Sequence, residues 1–158
     1  MADRQPIVRA AGEGEKRWFY GGGVHTWKVS AAESGGAYLV FEDDLVRGKR
    51  TPLHRHPDED EIIYVIEGEI LHVAAGAERR VGAGGLLVTP RGVEHAFVVL
   101  SETARLLFLQ TPGSGEAFYR HASEPAGASD GPVDFARIGQ AAHETGTTVV
   151  LGPPPFAK

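Results

Sequence analysis

Residues 48–68 read GKRTPLHRHPDEDEIIYVIEG, and this stretch decides how the chain folds. It contains His54 and His56, whose side chains point to the same face if the segment is a strand. Two imidazoles on one face can hold a single metal ion at about 2.0–2.1 Å. After the turn-prone residues 57–60, Glu61 opens an apolar run. We therefore expect the chain to return antiparallel to the histidines and to place the Glu61 carboxylate beside them.

These residues alone leave simpler interpretations open. With seven histidines in 158 residues, a His-x-His pair also arises by chance, as two solvated side chains at a strand end. Glu61 is one of four clustered acids, and only its place on the strand rather than in the turn favours it as a ligand. A histidine at a strand start, such as His95 before the apolar run 96–100, is commonly a hydrogen-bonded structural residue.

Short apolar runs recur along the chain about every ten residues, and each is followed by glycine, proline or charged residues. Glycine and proline number 21 and 10 of the 158 residues, an excess that indicates many turns. This pattern is typical of all-β sandwiches and barrels. The predicted strands cover residues 24–30, 38–41, 62–66, 70–74, 86–88, 96–100 and 106–109.

The C-terminal part of the chain differs in composition from the rest. Residues 111–132 are rich in glycine, serine, proline and alanine and are predicted to form a loop. A helix is predicted next, over residues 134–145, because apolar residues share one face and Gly146 follows its end. The residues on that face are Phe135, Ile138 and Ala142. A last strand is predicted for residues 147–151.

Length and composition limit the domain count and the function classes. A chain of 158 residues is expected to form one domain. We predict a lead-in over residues 1–17, a barrel over 18–110, and a C-terminal loop, helix and proline-rich tail over 111–158 that packs on the barrel. The net charge of −5 argues against a nucleic-acid partner, and the lack of cysteine excludes disulfides and thiolate chemistry. The apolar runs are too short to cross a membrane and no targeting segment is evident, so a cytoplasmic location is expected.

The spacing of the candidate residues resembles the two motifs of the cupin superfamily. The first motif runs Gly, five residues, His-x-His, three or four residues, Glu, six residues, Gly. It is matched here by Gly48, His54, His56, Glu61 and Gly68. The second runs Gly, five residues, Pro-x-Gly, two residues, His, three residues, Asn. It is matched by Gly84, Pro90, Gly92 and His95, while Val99 stands where asparagine is usual.

The resemblance implies an all-β fold, the double-stranded β-helix or jelly-roll barrel of the cupins, here followed by a short C-terminal helix. It also implies that the metal ligands are His54, His56, Glu61 and His95. Three imidazoles and one carboxylate suit one divalent transition metal ion per chain, with Ni, Co, Fe, Mn, Cu and Zn all compatible. Four protein ligands leave up to two positions of an octahedral ion open to other molecules.

Within the superfamily, the chain resembles the single-domain, quercetin-dioxygenase-like cupins of bacteria. That resemblance implies a dioxygenase that takes a small enolisable or aromatic, flavonol-like substrate and dioxygen, with Glu61 as both ligand and catalytic base. Two alternatives remain open. One is a metal-dependent isomerase, cyclase or decarboxylase that uses no oxygen. The other is a small-molecule-binding cupin without catalysis.

The lining of a substrate pocket is predicted less directly. Strand parity and the aromatic content of the strands select Tyr38, Phe41, Ile63, His72, Phe97 and Phe108, each of which could equally be ordinary barrel core. The other histidines, His25, His121 and His143, are interpreted as solvated or loop residues. A homodimer is expected from the resemblance, and because an exposed edge strand carrying the aromatic run 18–20 would need a partner.

Overall fold

Two antiparallel sheets make up most of the computed structural model, which describes residues 4–127 and 131–157. The strands are β1 (Lys16–Phe19), β2 (Val24–Val29), β3 (Leu39–Val46), β4 (Leu53–Arg55), β5 (Asp60–Glu67), β6 (Glu69–Ala74), β7 (Ala77–Gly82), β8 (Leu86–Thr89), β9 (His95–Val99), β10 (Thr103–Thr111), β11 (Ser123–Pro125) and β12 (Val149–Gly152). The helices are α1 (Glu116–His121) and α2 (Phe135–Thr145), and a single 3₁₀ turn (Gly113–Gly115) precedes α1.

The larger sheet has the order β11-β1-β2-β3-β10-β5-β8, and the smaller sheet has the order β12-β4-β9-β6-β7. Consecutive strands often belong to different sheets, so the chain crosses repeatedly between the two layers. This arrangement confirms the predicted all-β, double-stranded β-helix with a short C-terminal helix.

The core lies between the two sheets, and side-chain alternation along the strands builds it. In β5, Glu61, Ile63 and Val65 face inward, whereas Tyr64 between them is 42% exposed. The inward face of β3 carries Leu39, Phe41, Asp43 and Leu45. Ile63 therefore lies on the same face of β5 as Glu61, as strand alternation predicts. This alternation places the Glu61 carboxylate in an otherwise apolar layer.

The predicted runs missed strand segments that carry charged residues. β3 continues through the acidic residues 42–44 to Val46, because every second side chain there points out to solvent. β7 was not predicted at all, since its sequence AERRVG is mostly exposed. It forms a hairpin with β6 at the edge of the smaller sheet, where outward charges suit an edge strand and hinder pairing with other molecules.

The C-terminal helix agrees with its prediction in position but not fully in its buried face. The Asp134 side chain accepts a hydrogen bond from the Arg137 backbone N–H at 3.1 Å, and Gly146 ends the helix in the left-handed conformation. Ile138 and Ala142 are buried as predicted, and Ala141 joins them. Phe135, expected on the same face, is instead 40% exposed.

The loop predicted for residues 111–132 is wrong for most of its described part. It contains the 3₁₀ turn, α1 and β11, while its residues 128–130 lie outside the described residues. Six residues make too short a helix to be stable alone, so α1 depends on burying Phe118 and Tyr119 in the core. The predicted last strand is present as β12, which pairs with β4.

The N-terminal aromatic run does not form an exposed edge. β1 lies between β2 and β11, and Phe19 is only 8% exposed. The structural reason given for a dimer therefore fails, because the chain covers this strand itself. The dimer remains a prediction. The predicted lead-in is also shorter than expected, since Lys16 and Arg17 belong to β1, and its residues 1–3 lie outside the described residues.

Among the residues that the structure describes, no helix has the length and apolar character needed to span a membrane.

The four glycines of the sequence motifs all have positive φ angles. These are 83° at Gly48, 85° at Gly68, 86° at Gly84 and 79° at Gly92. Other residues rarely adopt this conformation, because their Cβ collides with the following carbonyl oxygen. Two of the positions differ in their surroundings. A Cβ at Gly68 would lie 2.4 Å from the Thr103 carbonyl oxygen, whereas one at Gly84 would meet nothing within 4 Å.

We expect Gly68→Ala to destabilise the protein more than Gly84→Ala. The left-handed conformation costs each variant about 1–2 kcal/mol, and the backbone clash at residue 68 adds about 1–3 kcal/mol. Urea unfolding of both variants measures the difference in the free energy of unfolding. Equal losses would show that the contact with Thr103 relaxes without cost.

Candidate metal centre

Three histidines and one glutamate gather at one point between the sheets. One ligand atom from each of His54, His56, Glu61 and His95 lies within 4.8 Å of those of the others. His56 is 2% exposed, Glu61 3% and His95 1%, while His54 is half-buried and is the most solvent-accessible of the four. The structure thus brings together all four residues that the sequence motifs selected.

Glu61 reaches the histidines by a different route from the one predicted. His54 in β4 is paired in register with His95 in β9, and His56 follows directly after β4. β5, which carries Glu61, does not pair with β4, because it belongs to the facing sheet. The four residues 56–59 carry the chain across the barrel rather than back along the same sheet. The carboxylate therefore approaches the imidazoles from the opposite layer.

The Glu61 carboxylate is the centre of the cluster. Its Oε2 lies 2.8 Å from His56 Nε2 and 3.4 Å from His95 Nε2. The imidazole ring of His54 lies 4.3 Å from that of His95 and 5.0 Å from that of His56, measured between centroids. The three rings and the carboxylate therefore surround a common point.

The outer ring nitrogens are held by partners that orient each imidazole. The Nδ1–H groups of His54 and His95 can donate to the carbonyl oxygens of Pro52 and Val93, at 2.8 and 2.9 Å. His56 Nδ1 lies 3.2 Å from Thr148 Oγ1. With Nδ1–H donating outward, the Nε2 lone pairs of His54 and His95 can face the centre, as metal-binding histidines require, while His56 Nε2 lies within hydrogen-bond distance of Glu61 Oε2.

The donor set and its electrostatics fit a divalent transition metal ion. His95 Nε2 is buried without a hydrogen bond among the described residues, and Glu61 Oε2 lies 3.4 Å from it. Burial would lower the pKa of His95, but Glu61 raises it, so an ion that binds there displaces a proton. Burial alone would raise the pKa of Glu61, but His95 and His56 hold it well below its usual range, so the carboxylate is ionised. Burial and the neighbouring imidazoles lower the pKa of His54, so that ring is neutral. A carboxylate and neutral imidazoles are the forms that ligate metal.

A cavity with aromatic walls extends from this cluster. His54 and Glu61 are the members of the cluster that line it. Phe41 and Phe108 form its floor as a parallel stack, with centroids 4.6 Å apart and an angle of 11°. Phe97 lines it from the smaller sheet. A flat, mostly apolar molecule that lies in this cavity would therefore meet the Glu61 carboxylate at one end.

The six residues selected for the pocket fall into two groups. Phe41, Phe97 and Phe108 line the cavity. Tyr38, Ile63 and His72 do not, although each lies on or beside a strand of the barrel. Tyr38 is 40% exposed just before β3, and Ile63 is packed in the core. The His72 ring lies 6.2 Å from that of His95, in β6 behind the ligands.

Sequence reasoning missed several polar residues that face the cavity. His25 was interpreted as solvated, yet it is 2% exposed and stacked between Phe19 and Phe41, at centroid distances of 4.7 and 4.1 Å. A period-two reading of β2 would have placed it on the same buried face as Trp27. The other polar residues of the lining are Asp43, Lys49, Thr51, Tyr119 and Thr148. His121 and His143 are exposed, as predicted.

Comparisons with known proteins agree with the fold. Residues 42–110 match the family model described as "Cupin domain". The quercetin 2,3-dioxygenase of Bacillus subtilis (strain 168) is 26% identical over 120 residues, which cover 76% of this chain and 35% of that protein. This chain thus spans about a third of the length of that curated relative.

Two solved structures are similar in fold. A predicted oxalate decarboxylase from Thermotoga maritima superposes with a TM-score of 0.60 at 23% identity, covering 68% of this chain and 99% of that one. An RmlC-like cupin from Shewanella frigidimarina gives a TM-score of 0.57 at 20% identity, covering 69% and 94%. At these identities the likeness concerns the fold alone.

We expect tag-free protein to bind one divalent transition metal ion per chain and to become more stable on binding. A free ion at 100 times its Kd should add about 2.7 kcal/mol to the free energy of unfolding, because only the folded chain presents the site. Elemental analysis and thermal unfolding with and without chelator measure both effects. His95→Ala should abolish them, whereas the exposed His121→Ala should not. A melting curve indifferent to metal in the wild-type protein would contradict the expectation.

We expect Thr148→Val to weaken metal binding about 10- to 100-fold, the usual effect of losing a partner that orients a ligand. The variant removes the hydroxyl next to His56 Nδ1 and keeps the shape of the side chain. Thr147→Val is the matched control, because the Thr147 hydroxyl has no hydrogen-bond partner among the described residues. Competition titration with a chromophoric chelator measures both affinities. Equal metal affinities in the two variants would show that Thr148 does not contribute to metal binding.

Proposed function

Residues 42–110 match the family model of the cupin domain, and on this basis we propose that the chain is a metal-dependent dioxygenase acting on a small enolisable or aromatic, flavonol-like substrate. One divalent transition metal ion would be held by His54, His56, Glu61 and His95. The observation that supports this proposal most is that the four ligand atoms meet at the end of an aromatic-walled cavity. When bound, the ion supplies Lewis acidity to a substrate oxygen and, if redox-active, an electron-transfer route to dioxygen.

Glu61 is suited to remove a proton from the substrate. Its Oε2 faces His56 and His95, which leaves Oε1 available on the cavity side. The carboxylate is ionised although it is 3% exposed, so it can accept a proton without first losing one. A substrate hydroxyl that approaches the cluster along the cavity comes within reach of this oxygen. Glu61 thus combines the roles of ligand and general base.

The aromatic walls position the substrate and keep water away. Phe41 and Phe108 stack on each other in the larger sheet and add apolar ring surface to the lining, and Phe97 contributes a third ring from the smaller sheet. A planar substrate against these rings presents its oxygen toward Glu61 and its edge toward the cavity mouth. Exclusion of water from such a site strengthens the electrostatic interactions that stabilise an enolate.

A second candidate is a metal-dependent isomerase, cyclase or decarboxylase that uses no dioxygen. It is favoured by the additional polar groups in the cavity, His25 and Asp43, which are 2% and 6% exposed. Reactions that move protons within a substrate use a second acid or base, whereas an oxygenation needs only the first deprotonation. Both candidates use Glu61 in the same way and differ in the consumption of oxygen.

We expect Glu61→Gln to reduce turnover per bound metal ion by about 100-fold or more, while metal occupancy falls only in part. Glutamine keeps an oxygen donor but cannot accept a proton at neutral pH. Oxygen uptake and product formation with quercetin and smaller enolisable phenols, divided by metal content, give this quantity. Glu67→Gln, at the exposed end of the same strand, is the matched control.

The outcomes of this experiment separate the candidate functions. If turnover per metal ion is unchanged in Glu61→Gln, Glu61 does not act as the general base. Product formation without oxygen uptake would favour the isomerase, cyclase or decarboxylase. Metal binding and substrate binding without any turnover would favour a binding protein.

A further inference from the structure

We propose that Lys49 binds a carboxylate of the substrate at a second subsite in the cavity, beside Asp43 and His25. This inference rests on the proposed function, in which a different group of the substrate, an oxygen, is directed to the metal ligands. It narrows the substrate class to small phenolic or enolisable carboxylates.

The Lys49 ammonium is buried without a counter-ion in contact. The side chain is 8% exposed, and its Nζ lies 5.3 Å from the ring centroid of Phe19 and 5.2 Å from that of Phe97. Within residues 4–127 and 131–157, no carboxylate is in direct contact with Nζ. Burial lowers the pKa of Lys49, and the more distant charges of Asp43 and Glu61 oppose that effect. Aromatic faces attract an ammonium but do not use its N–H donors. A buried cation with free donors therefore calls for an anionic acceptor, and Lys49 lines the cavity in which one can bind.

The backbone of Lys49 lies farther along β9 than the metal ligands, and its side chain lines the same cavity as His54 and Glu61. Its backbone runs beside Val99, whose carbonyl oxygen accepts from Gly48 N–H at 3.0 Å and whose N–H donates to the Lys49 carbonyl oxygen at 2.8 Å. His95, four residues earlier in β9, is paired with His54. Four residues of a strand span about 13 Å, and Phe97 lies between these positions. A ligand with one group at each of them would thus lie along Phe97.

Asp43 and His25 line the same cavity as Lys49, and the Asp43 carboxylate is not in direct contact with the Lys49 ammonium. They are paired in register on β3 and β2, and His25 Nε2 lies 3.7 Å from Asp43 Oδ1. Neither Asp43 Oδ1 nor His25 Nδ1 has a hydrogen-bond partner among the described residues. Burial raises the pKa of Asp43 to about 7, an effect that the Lys49 charge opposes. Burial lowers the pKa of His25 well below its usual value, so its ring is neutral.

The arrangement differs from a simple structural ion pair between Asp43 and Lys49. An ion pair would bring the carboxylate into contact with the ammonium, whereas the two groups interact here only at longer range. Each has unused hydrogen-bonding capacity on the cavity side. A substrate carboxylate would use the donors of Lys49, and an adjacent Asp43 carboxylate would compete with it for the same charge. Removing the negative charge of Asp43 should therefore improve binding of an anion.

The first test uses metal-free protein and isothermal titration with benzoate and its uncharged counterpart benzamide. We expect the wild-type protein to bind benzoate at least tenfold more tightly than benzamide. Lys49→Met, which keeps the length of the side chain, should lose this preference, and Asp43→Asn should tighten benzoate binding. Lys16→Met, at an exposed position of β1, is the matched control and should behave as wild type.

The second test uses Zn²⁺-loaded protein, in which no redox reaction occurs, with catechol and 3,4-dihydroxybenzoate. The wild-type protein should bind 3,4-dihydroxybenzoate at least tenfold more tightly than catechol. Lys49→Met should bind the two compounds with equal affinity, and its affinity for catechol should equal that of the wild-type protein. If the protein takes up no Zn²⁺ but the benzoate preference is present, the proposed function fails and the carboxylate subsite stands.

The subsite is overturned if the wild-type protein does not distinguish benzoate from benzamide, or if Lys49→Met retains the preference. If Lys49→Met does not fold, benzoate binding by Asp43→Asn decides whether the subsite exists. Tighter benzoate binding in that variant supports the subsite, because a structural defect would not improve affinity. Unchanged or weaker binding assigns Lys49 to a structural pair with Asp43.

Discussion

The structure depends on one constraint, the burial of an ionised carboxylate between two sheets. Glu61 is 3% exposed, and its charge is tolerated because His56 and His95 lie 2.8 and 3.4 Å from its Oε2. The carboxylate comes from the larger sheet and the imidazoles from the smaller one. The two layers must therefore approach closely and in one register at this point, and the packing of the rest of the core has to be compatible with that register.

With the proposed metal site and carboxylate subsite, the cavity would carry two opposite electrostatic preferences. The cluster around Glu61 offers lone pairs and a negative charge, which suit a cation. The region around Lys49 offers N–H donors and a positive charge, which suit an anion. Phe41, Phe97 and Phe108 add apolar surface to the same cavity. A molecule that lies in the cavity is thus oriented as well as bound, because reversing it would place each polar group against the wrong charge.

Much of this architecture could be predicted from the sequence, and the exceptions have physical causes. The spacing of His54, His56, Glu61 and His95 identified the cluster, and the strand predicted after Glu61 is present as part of β5. The route of Glu61 was wrong, because a turn of four residues can close a hairpin or cross between layers, and local sequence does not distinguish the two. β7 and α1 were missed since neither has a periodic apolar pattern of its own. His25 was missed because a histidine is polar by type but is buried here between aromatic rings.

The contact between Thr148 and His56 joins residues 92 positions apart in the chain. Closing so long a loop is slow compared with forming a hairpin, since the entropy of the intervening chain is lost before the contact is made. The β4–β9 pair can already bring two imidazoles together when β12 is still unformed. His56 then lacks the hydroxyl that holds its ring in place. A nascent chain would therefore hold an ion only loosely at first, and could exchange it with the cellular metal pool until β12 docks.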